Sequence, residues 1–286
     1  NVARFSFNRI LAKPQTTSGL TTSEYGFQVE NTQPVAVGLP FVSLSGFFSL
    51  GDGQQPFAER ANNVFSFADD FSYVAGRHFM KFGGQLLREN VRVASLNRPN
   101  GDFTFHGSYT GSAATDYLLG LPIQFRQSGG DPIKDGVGYL PGFYFQDEFR
   151  VAPRLTLNLG LRYELPVPFE DKKDRVNGWL PGVQSTVYPE APAGLVYPGD
   201  PGVGRGIIDM DASNIAPRLG FAWDLFGNGR TSIRGGWGMF YDSIPQQGDI
   251  FQNILAPPFN PLTQFDYKTS ETAPHFANPF IGGRNA

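Results

Sequence analysis

The sequence contains no cysteine, which removes disulfides, thiolate nucleophiles and sulfur-ligated zinc or iron–sulfur centres. It has no run approaching 18 uninterrupted apolar residues, so a transmembrane helix is excluded. Strands that cross a bilayer carry a much weaker hydropathy signal, and that test leaves them open. Charge is sparse: 17% of the 286 residues are charged, and the formal net charge is −3. No basic excess exists to attract nucleic acid. Histidine is limited to His78, His106 and His275, far apart and without ligand spacing, so no metal site is expected from them.

Aromatic residues, glycine and proline are abundant. Aromatics make up 14% of the chain, led by 27 Phe, and the 35 Gly and 23 Pro oppose long helices and favour strands joined by turns. The clearest pattern is GFYFQDEFRVAPRLTLNLGLRYE, Gly142–Glu164. Leu155, Leu157, Leu159, Leu161 and Tyr163 alternate with Thr156, Asn158, Gly160, Arg162 and Glu164. A period of two over ten residues places one strand face in an apolar medium and the other in a polar one. Phe143, Phe145 and Phe149 form the apolar side of the preceding run, opposite Tyr144, Gln146, Glu148 and Arg150. Asp147 is the misfit on the apolar side. Val151-Ala152-Pro153 reads as the turn, because Pro fixes φ and cannot donate to a ladder. The two strands are roughly 8–10 residues long, enough to cross a bilayer obliquely.

Two more hairpins share this style. In 63–93, Phe65, Phe67, Phe71 and Tyr73 oppose a side carrying Asp70, with Asp69 misplaced among the aromatics. After an Ala75-Gly76-Arg77 turn, Met80, Phe82 and Leu86 oppose Lys81, Gln85 and Glu89. In 215–242, Leu219, Phe221, Trp223 and Leu225 oppose Arg218 and Asp224. Gly227-Asn228-Gly229 supplies residues that tolerate positive φ, and Ile233, Trp237, Met239 and Tyr241 return opposite Arg234. Further strands are expected at Val2–Ile10, at Val37–Leu50 (with Phe41 and Phe47 as anchors), around Phe103–Phe105 and at Ile123–Gly129. One helical turn is expected at Ala113–Leu119. Residues 11–36 read as a polar loop. Residues 165–213 hold no sustained period, and a connection that long is commonly functional.

These features point to an all-β, antiparallel transmembrane β-barrel segment of roughly ten strands, with short turns on one side and long loops on the other. The strands exceed the usual five or six residues. Phe143, Phe149, Tyr163, Trp223 and Tyr241 gather next to turns, as an interfacial girdle requires. On this reading Phe143, Phe145, Phe149, Leu157, Leu159, Leu161, Tyr163, Phe221, Trp223, Trp237 and Tyr241 face lipid or the girdle. Asp70, Lys81, Gln85, Glu89, Gln146, Glu148, Arg150, Arg162, Glu164, Arg218, Asp224 and Arg234 line the lumen, as a solvated wall or in contact with a passing solute. Ligand selection is expected in the long loops, above all 165–213, because loops on a rigid scaffold commonly carry recognition.

Catalytic and cofactor chemistry finds no support. Asp69-Asp70 and Asp147-Glu148 are adjacent, so each pair points to opposite strand faces and forms no carboxylate dyad. Asp209-Met210-Asp211-Ala212-Ser213 begins like a calcium loop but has Asn214 at the sixth position and Gly220 at the twelfth. Gly202-Val203-Gly204-Arg205-Gly206 neither follows a strand nor opens a helix, as a phosphate cradle would. No G-x-S-x-G elbow occurs. The chain is expected to be no enzyme and to need no cofactor.

NIAPRLGFAWDLFGNGRTSIRGGWGMFYD (Asn214–Asp242), GRHFMKFGG (Gly76–Gly84), TDYLLGLP (Thr115–Pro122) and Phe143–Glu164 together resemble the barrel of TonB-dependent outer-membrane receptors, in particular the Oar-like group. These motifs span roughly residues 37–242. The resemblance implies a barrel of about 22 strands in the Gram-negative outer membrane, with a plug domain and a TonB-contacting box upstream. It further implies energised uptake of a scarce or bulky solute, with lipid, the chain's own plug and the TonB complex as partners. The start at Asn1, without Met or a basic-then-apolar leader, and the loop-like end Gly282-Gly283-Arg284-Asn285-Ala286 are read as marks of a piece of a longer protein. A passive porin or adhesin-like barrel, and a secreted soluble β-sandwich or propeller that binds carbohydrate, are the other readings.

Overall fold

The computed structural model describes residues 1–13, 19–29, 32, 38–52, 58–95, 97–131, 133–242, 257–267 and 276–280. The strands are β1 (Val2–Ala12), β2 (Phe41–Leu44), β3 (Ser49–Leu50), β4 (Ala58–Ala75), β5 (His78–Ser95), β6 (Asp102–Phe105), β7 (Gln124–Ser128) and β8 (Ile133–Ala152). They continue with β9 (Leu155–Glu164), β10 (Val167–Asp171), β11 (Gly178–Trp179), β12 (Leu195–Val196), β13 (Ile215–Asp224), β14 (Ser232–Gly238) and β15 (Leu262–Asp266). The one α-helix among the described residues, α1, covers Ala113–Leu118. No described helix is long and apolar enough to cross a membrane, which says nothing of strands. The chain divides into two compact units: residues 1–10, 62–91 and 135–249, and residues 11–61, 92–134 and 250–286.

The first unit is built on a sheet in the order β1-β4-β5-β8-β9-β13-β14, with β10 paired to β8 off this path. Neighbours in that order run antiparallel. Phe7 meets Phe65 and Arg4 meets Asp70, so numbers rise along β1 as they fall along β4. Arg150 N donates to Arg77 O where β8 meets β5, and the β8–β9, β9–β13 and β13–β14 ladders are antiparallel residue by residue. The turns are short. Gly76, at φ 59°, permits the two-residue link between β4 and β5. Asp224 closes the β13–β14 turn, its carboxylate accepting from the N–H groups of Gly227 and Gly229, each at 3.0 Å. Both glycines have positive φ, a conformation other residues adopt only at a cost.

Three strands outrun a single bilayer crossing: β4 and β5 with 18 residues each, and β8 with 20. At about 3.3 Å per residue the 20 residues of β8 reach roughly 66 Å, whereas an oblique crossing takes about 9–11 residues. The strand changes character near Gly142. Beyond it Phe143 and Phe145 stand exposed; before it Lys134, Gly136, Gly138 and Gly142 are buried. In that upper half β10 pairs with β8 at Tyr139, Val137 and Gly136. The Phe169 ring lies over the backbone there: a Cβ on Gly138 would sit 2.3 Å from it. The expected irregular stretch 165–213 therefore begins with a strand and also contains the β11–β12 pair.

The second unit holds a sheet in the order β15-β7-β6-β2-β3. Its β2 and β6 pair in parallel, the exception among the strand pairs of the described residues. Phe103, Phe105 and Phe125 are fully buried, and Val29, Val42, Leu44, Ala113 and Tyr267 complete the core. Phe276 joins it edge-on, with ring centroids 4.9 Å from Phe103 and 5.0 Å from Phe27. The TDYLLGLP motif forms α1 and its exit. Buried Asp116 accepts from the backbone N–H of Thr110 at 3.0 Å and from its hydroxyl at 2.7 Å, and Tyr117 packs on Phe105.

Two expectations need correction. The single strand expected over Val37–Leu50 is two short ones, because Gly46 takes a positive φ of 79° and turns the chain; Phe47 is exposed rather than an anchor. The strands expected at 103–105 and 123–129 exist, but they belong to this second sheet. Counting them towards the long sheet made roughly ten; among the described residues that sheet has eight strands. Alternation reveals that a segment is a strand but not which sheet it joins.

Candidate functional site

The ladders place alternate residues of β8, β9, β13 and β14 in rows across the sheet. On one face run Phe145–Leu161–Pro217, Asp147–Leu159–Leu219–Trp237, Phe149–Leu157–Phe221–Gly235 and Leu155–Trp223–Ile233, with Phe143–Tyr163–Ile215 at the far end. Phe143, Leu219 and Trp237 are 58%, 53% and 58% exposed. A contiguous apolar face of this extent is foreign to a monomer in water. The row positions match the alternation in the sequence, except that Tyr241 lies past the end of β14 at Gly238.

The opposite face carries Tyr144–Arg162–Ala216, Gln146–Gly160–Arg218–Gly238, Glu148–Asn158–Gly220–Gly236 and Arg150–Thr156–Ala222–Arg234. Asp70 joins this face from β4. It accepts a 2.5 Å hydrogen bond from the Tyr144 hydroxyl and pairs with Arg4. Arg162 Nε donates to Glu164 Oε1 at 2.5 Å. Glu89 accepts from Asn62 Nδ2 at 2.7 Å, and Arg234 Nε donates to Ser232 Oγ at 3.3 Å. Lys81, Tyr144, Gln146, Gly160, Arg162 and Arg218 surround a depression of about 300 Å³.

One pairing was invisible in the sequence. His78 and the misfit Asp147 meet on the apolar face, Nδ1 to Oδ2 at 2.7 Å, and the imidazole stacks on Phe149 at 4.2 Å. Asp147 is only 8% exposed, and its Oδ1 has no hydrogen-bond partner among the described residues. The available signal was a carboxylate on the wrong side of an alternating strand, with a histidine starting the strand beside it. Asp69, the other misfit, accepts from Asn1 Nδ2 at 3.3 Å.

A family model described as outer membrane beta barrel domain matches residues 1–286. The chain belongs to the outer membrane beta barrel domain family. Its place is accordingly the outer membrane of a Gram-negative bacterium, with lipid as its surroundings, and the secreted soluble reading falls away. No curated protein and no solved structure matches it.

The segment after β9 holds several ion-paired and hydrogen-bonded carboxylates. Asp171 and Arg175 form a buried pair, Nε to Oδ1 at 3.1 Å and Nη2 to Oδ2 at 3.2 Å. Burial pushes the Asp171 carboxyl up. The Arg175 side chain and the backbone N–H groups of Asp135 and Arg175 outweigh that and hold it below the ordinary value. Arg205 bridges Asp174 at 2.7 Å, Glu170 at 3.2 Å and the Asp171 carbonyl at 3.0 Å. The hydrogen bond and charge of Asp174 hold its guanidinium above its usual range. Asp200 accepts from the N–H groups of Thr186, Val187 and Tyr197 at 2.6, 3.1 and 2.9 Å. Burial opposes ionisation there too, yet these donors and the Ser185 and Thr186 hydroxyls lower its pKa. Asp211, in the discounted calcium-like stretch, instead accepts from the Ser213 N–H and hydroxyl. No group of three or more metal-ligating side chains occurs among the described residues; His275 lies outside them.

Proposed function

We propose that this chain is the wall and recognition surface of an outer-membrane receptor for energised solute uptake, of the TonB-dependent type its motifs resemble. The apolar rows through Phe145, Leu161 and Leu219 face lipid, and the polar rows through Gln146, Arg162 and Arg218 line the solute path. The observation that carries the reading is what happens to the long connections. The described residues among 11–61, 92–134 and 250–286 form a compact unit with an aromatic core of its own, and the 165–213 connection is ion-paired and strand-bound. Ordered connections on a rigid scaffold suit selective capture from outside the cell, and they make the tight turns periplasmic. The plug and the TonB complex are the partners this role requires.

A passive porin or adhesin-like barrel shares the two-faced sheet. Conductance separates the two: the protein from native outer membranes is reconstituted in planar bilayers. A plug-gated receptor is expected to show no steady current, and solute uptake in cells should stop when TonB is deleted. A constant open conductance would overturn the receptor reading in favour of the porin.

A further inference from the structure

Three of the cations on the polar face, Lys81, Arg162 and Arg218, gather around one depression. Gly160 forms its floor: it lies between Gln146 and Arg218 in one row, and the neighbouring row ends in Ala216. Small residues leave about 300 Å³ open between Lys81 on one rim and Arg218 on the other, with Arg162 between them. Of the acids around it, Asp70 is engaged by Arg4 and Tyr144, and Glu164 by Arg162, while Glu148 stands in the adjacent row. Lys81 and Arg218 form no ion pair among the described residues. Each instead lies over a ring, Lys81 Nζ 5.1 Å from the Phe79 centroid and Arg218 Cζ 4.6 Å from that of Phe240. Ring contacts hold the side chains in place without cancelling their charge, and a guanidinium beside an ammonium matches carboxylate or phosphate oxygens.

We propose that Lys81, Arg162 and Arg218 over the Gly160 floor form a binding subsite for a small solute bearing two or more carboxylate or phosphate groups. Two of the rim cations are separated by β8 and β9, about 14 Å at the ordinary strand spacing. A single monovalent anion cannot engage both, whereas a polyanion within reach of the inward-pointing side chains can. This deepens the receptor reading, since it rests on the polar face lining the solute path, and it gives that path a charge preference.

The test is titration calorimetry with citrate on the protein purified in detergent from outer membranes, with sorbitol as a neutral probe. Citrate is expected to bind and sorbitol not. The double variant K81Q/R218Q should weaken citrate at least about tenfold, one decade of Kd. Gly160→Val keeps every charge, suits a strand and fills the floor, so it should weaken citrate by a similar factor even if the double variant folds poorly. Arg234→Gln, on the same face but outside the depression, should leave binding unchanged. Absence of citrate binding, equal binding of sorbitol, or an equal loss in R234Q would overturn the proposal. Micelle binding needs neither TonB nor an energised membrane, so a failed uptake experiment leaves this result readable on its own.

Discussion

The imidazole of His78 is held on the apolar face between two residues of one neighbouring strand, hydrogen-bonded to Asp147 and stacked on Phe149. Within the apolar rows each member of this polar pair gives the other a hydrogen-bond partner, while Asp147 Oδ1 has none among the described residues; leaving either residue alone is what costs. His78→Phe leaves the Asp147 carboxylate unpartnered and should destabilise the sheet by about 1–3 kcal/mol. The double variant H78F/D147L should recover most of that loss. Urea unfolding in detergent, followed by gel mobility of the unheated protein, measures both. An additive loss in the double variant would mean the pair is not coupled.

Gly138 is under the ring of Phe169, with no room for a Cβ. Gly138→Ala should lift β10 from β8 and lower stability by about 1–3 kcal/mol, the usual range for overpacking. Shortening the partner as well, in G138A/F169L, should relieve part of it. Amide exchange at Val167–Asp171 reads the effect directly: protection should fall in the single variant and partly return in the double.

Phe125 is fully buried and touches Phe103 at 4.8 Å and Phe280 at 5.4 Å. Phe125→Ala should cost about 3–5 kcal/mol by cavity formation. The loss belongs to the second unit, so protease cleavage should increase within 97–131 while the strands around 142–164 stay protected. Equal cleavage of both would mean that the two units do not unfold separately.

Acid should loosen the 165–213 segment late. The Asp171 carboxyl sits below its ordinary value of 3.8 when folded. Its contribution is therefore complete above the unfolded pKa and is lost as pH falls through the lowered folded one. In a W223F/W237F background the fluorescence of Trp179, which packs on Gly194, should stay constant from neutral pH down to about pH 4 and change below it. Asp171→Asn should destabilise the segment by about 3 kcal/mol at neutral pH, since it leaves buried Arg175 without its carboxylate. A transition above pH 5 in the parent protein would contradict this assignment.

The faces of the long sheet were legible because alternation encodes them: every odd residue from Leu155 to Tyr163 lies in an apolar row, as its identity demands. Membership in a sheet was not legible. The Phe-rich segments at 41–44 and 103–105 look like neighbours of the other strands, yet they pair in parallel with each other, and the contacts that decide this are remote in sequence. The 165–213 segment hid its order for a different reason. Its structure comes from side-chain-to-backbone bonds such as those of Asp171 and Asp200, which follow no period. The His78–Asp147 pair depends on strand register, and it surfaced in the sequence only as a carboxylate out of place.

The central claim is that one face of this sheet meets lipid and the other meets water. Because the chain has no cysteine, single cysteines can be placed at will and spin-labelled in the reconstituted protein. Labels at Phe145, Leu161 and Leu219, and at Gln146, Arg162 and Arg218, are compared for collision with oxygen, which concentrates in lipid, and with a water-soluble nickel chelate. The account predicts that the first three favour oxygen and the second three favour nickel, with the preference reversing at each step along β8 and β9. Equal nickel access on both faces would contradict it.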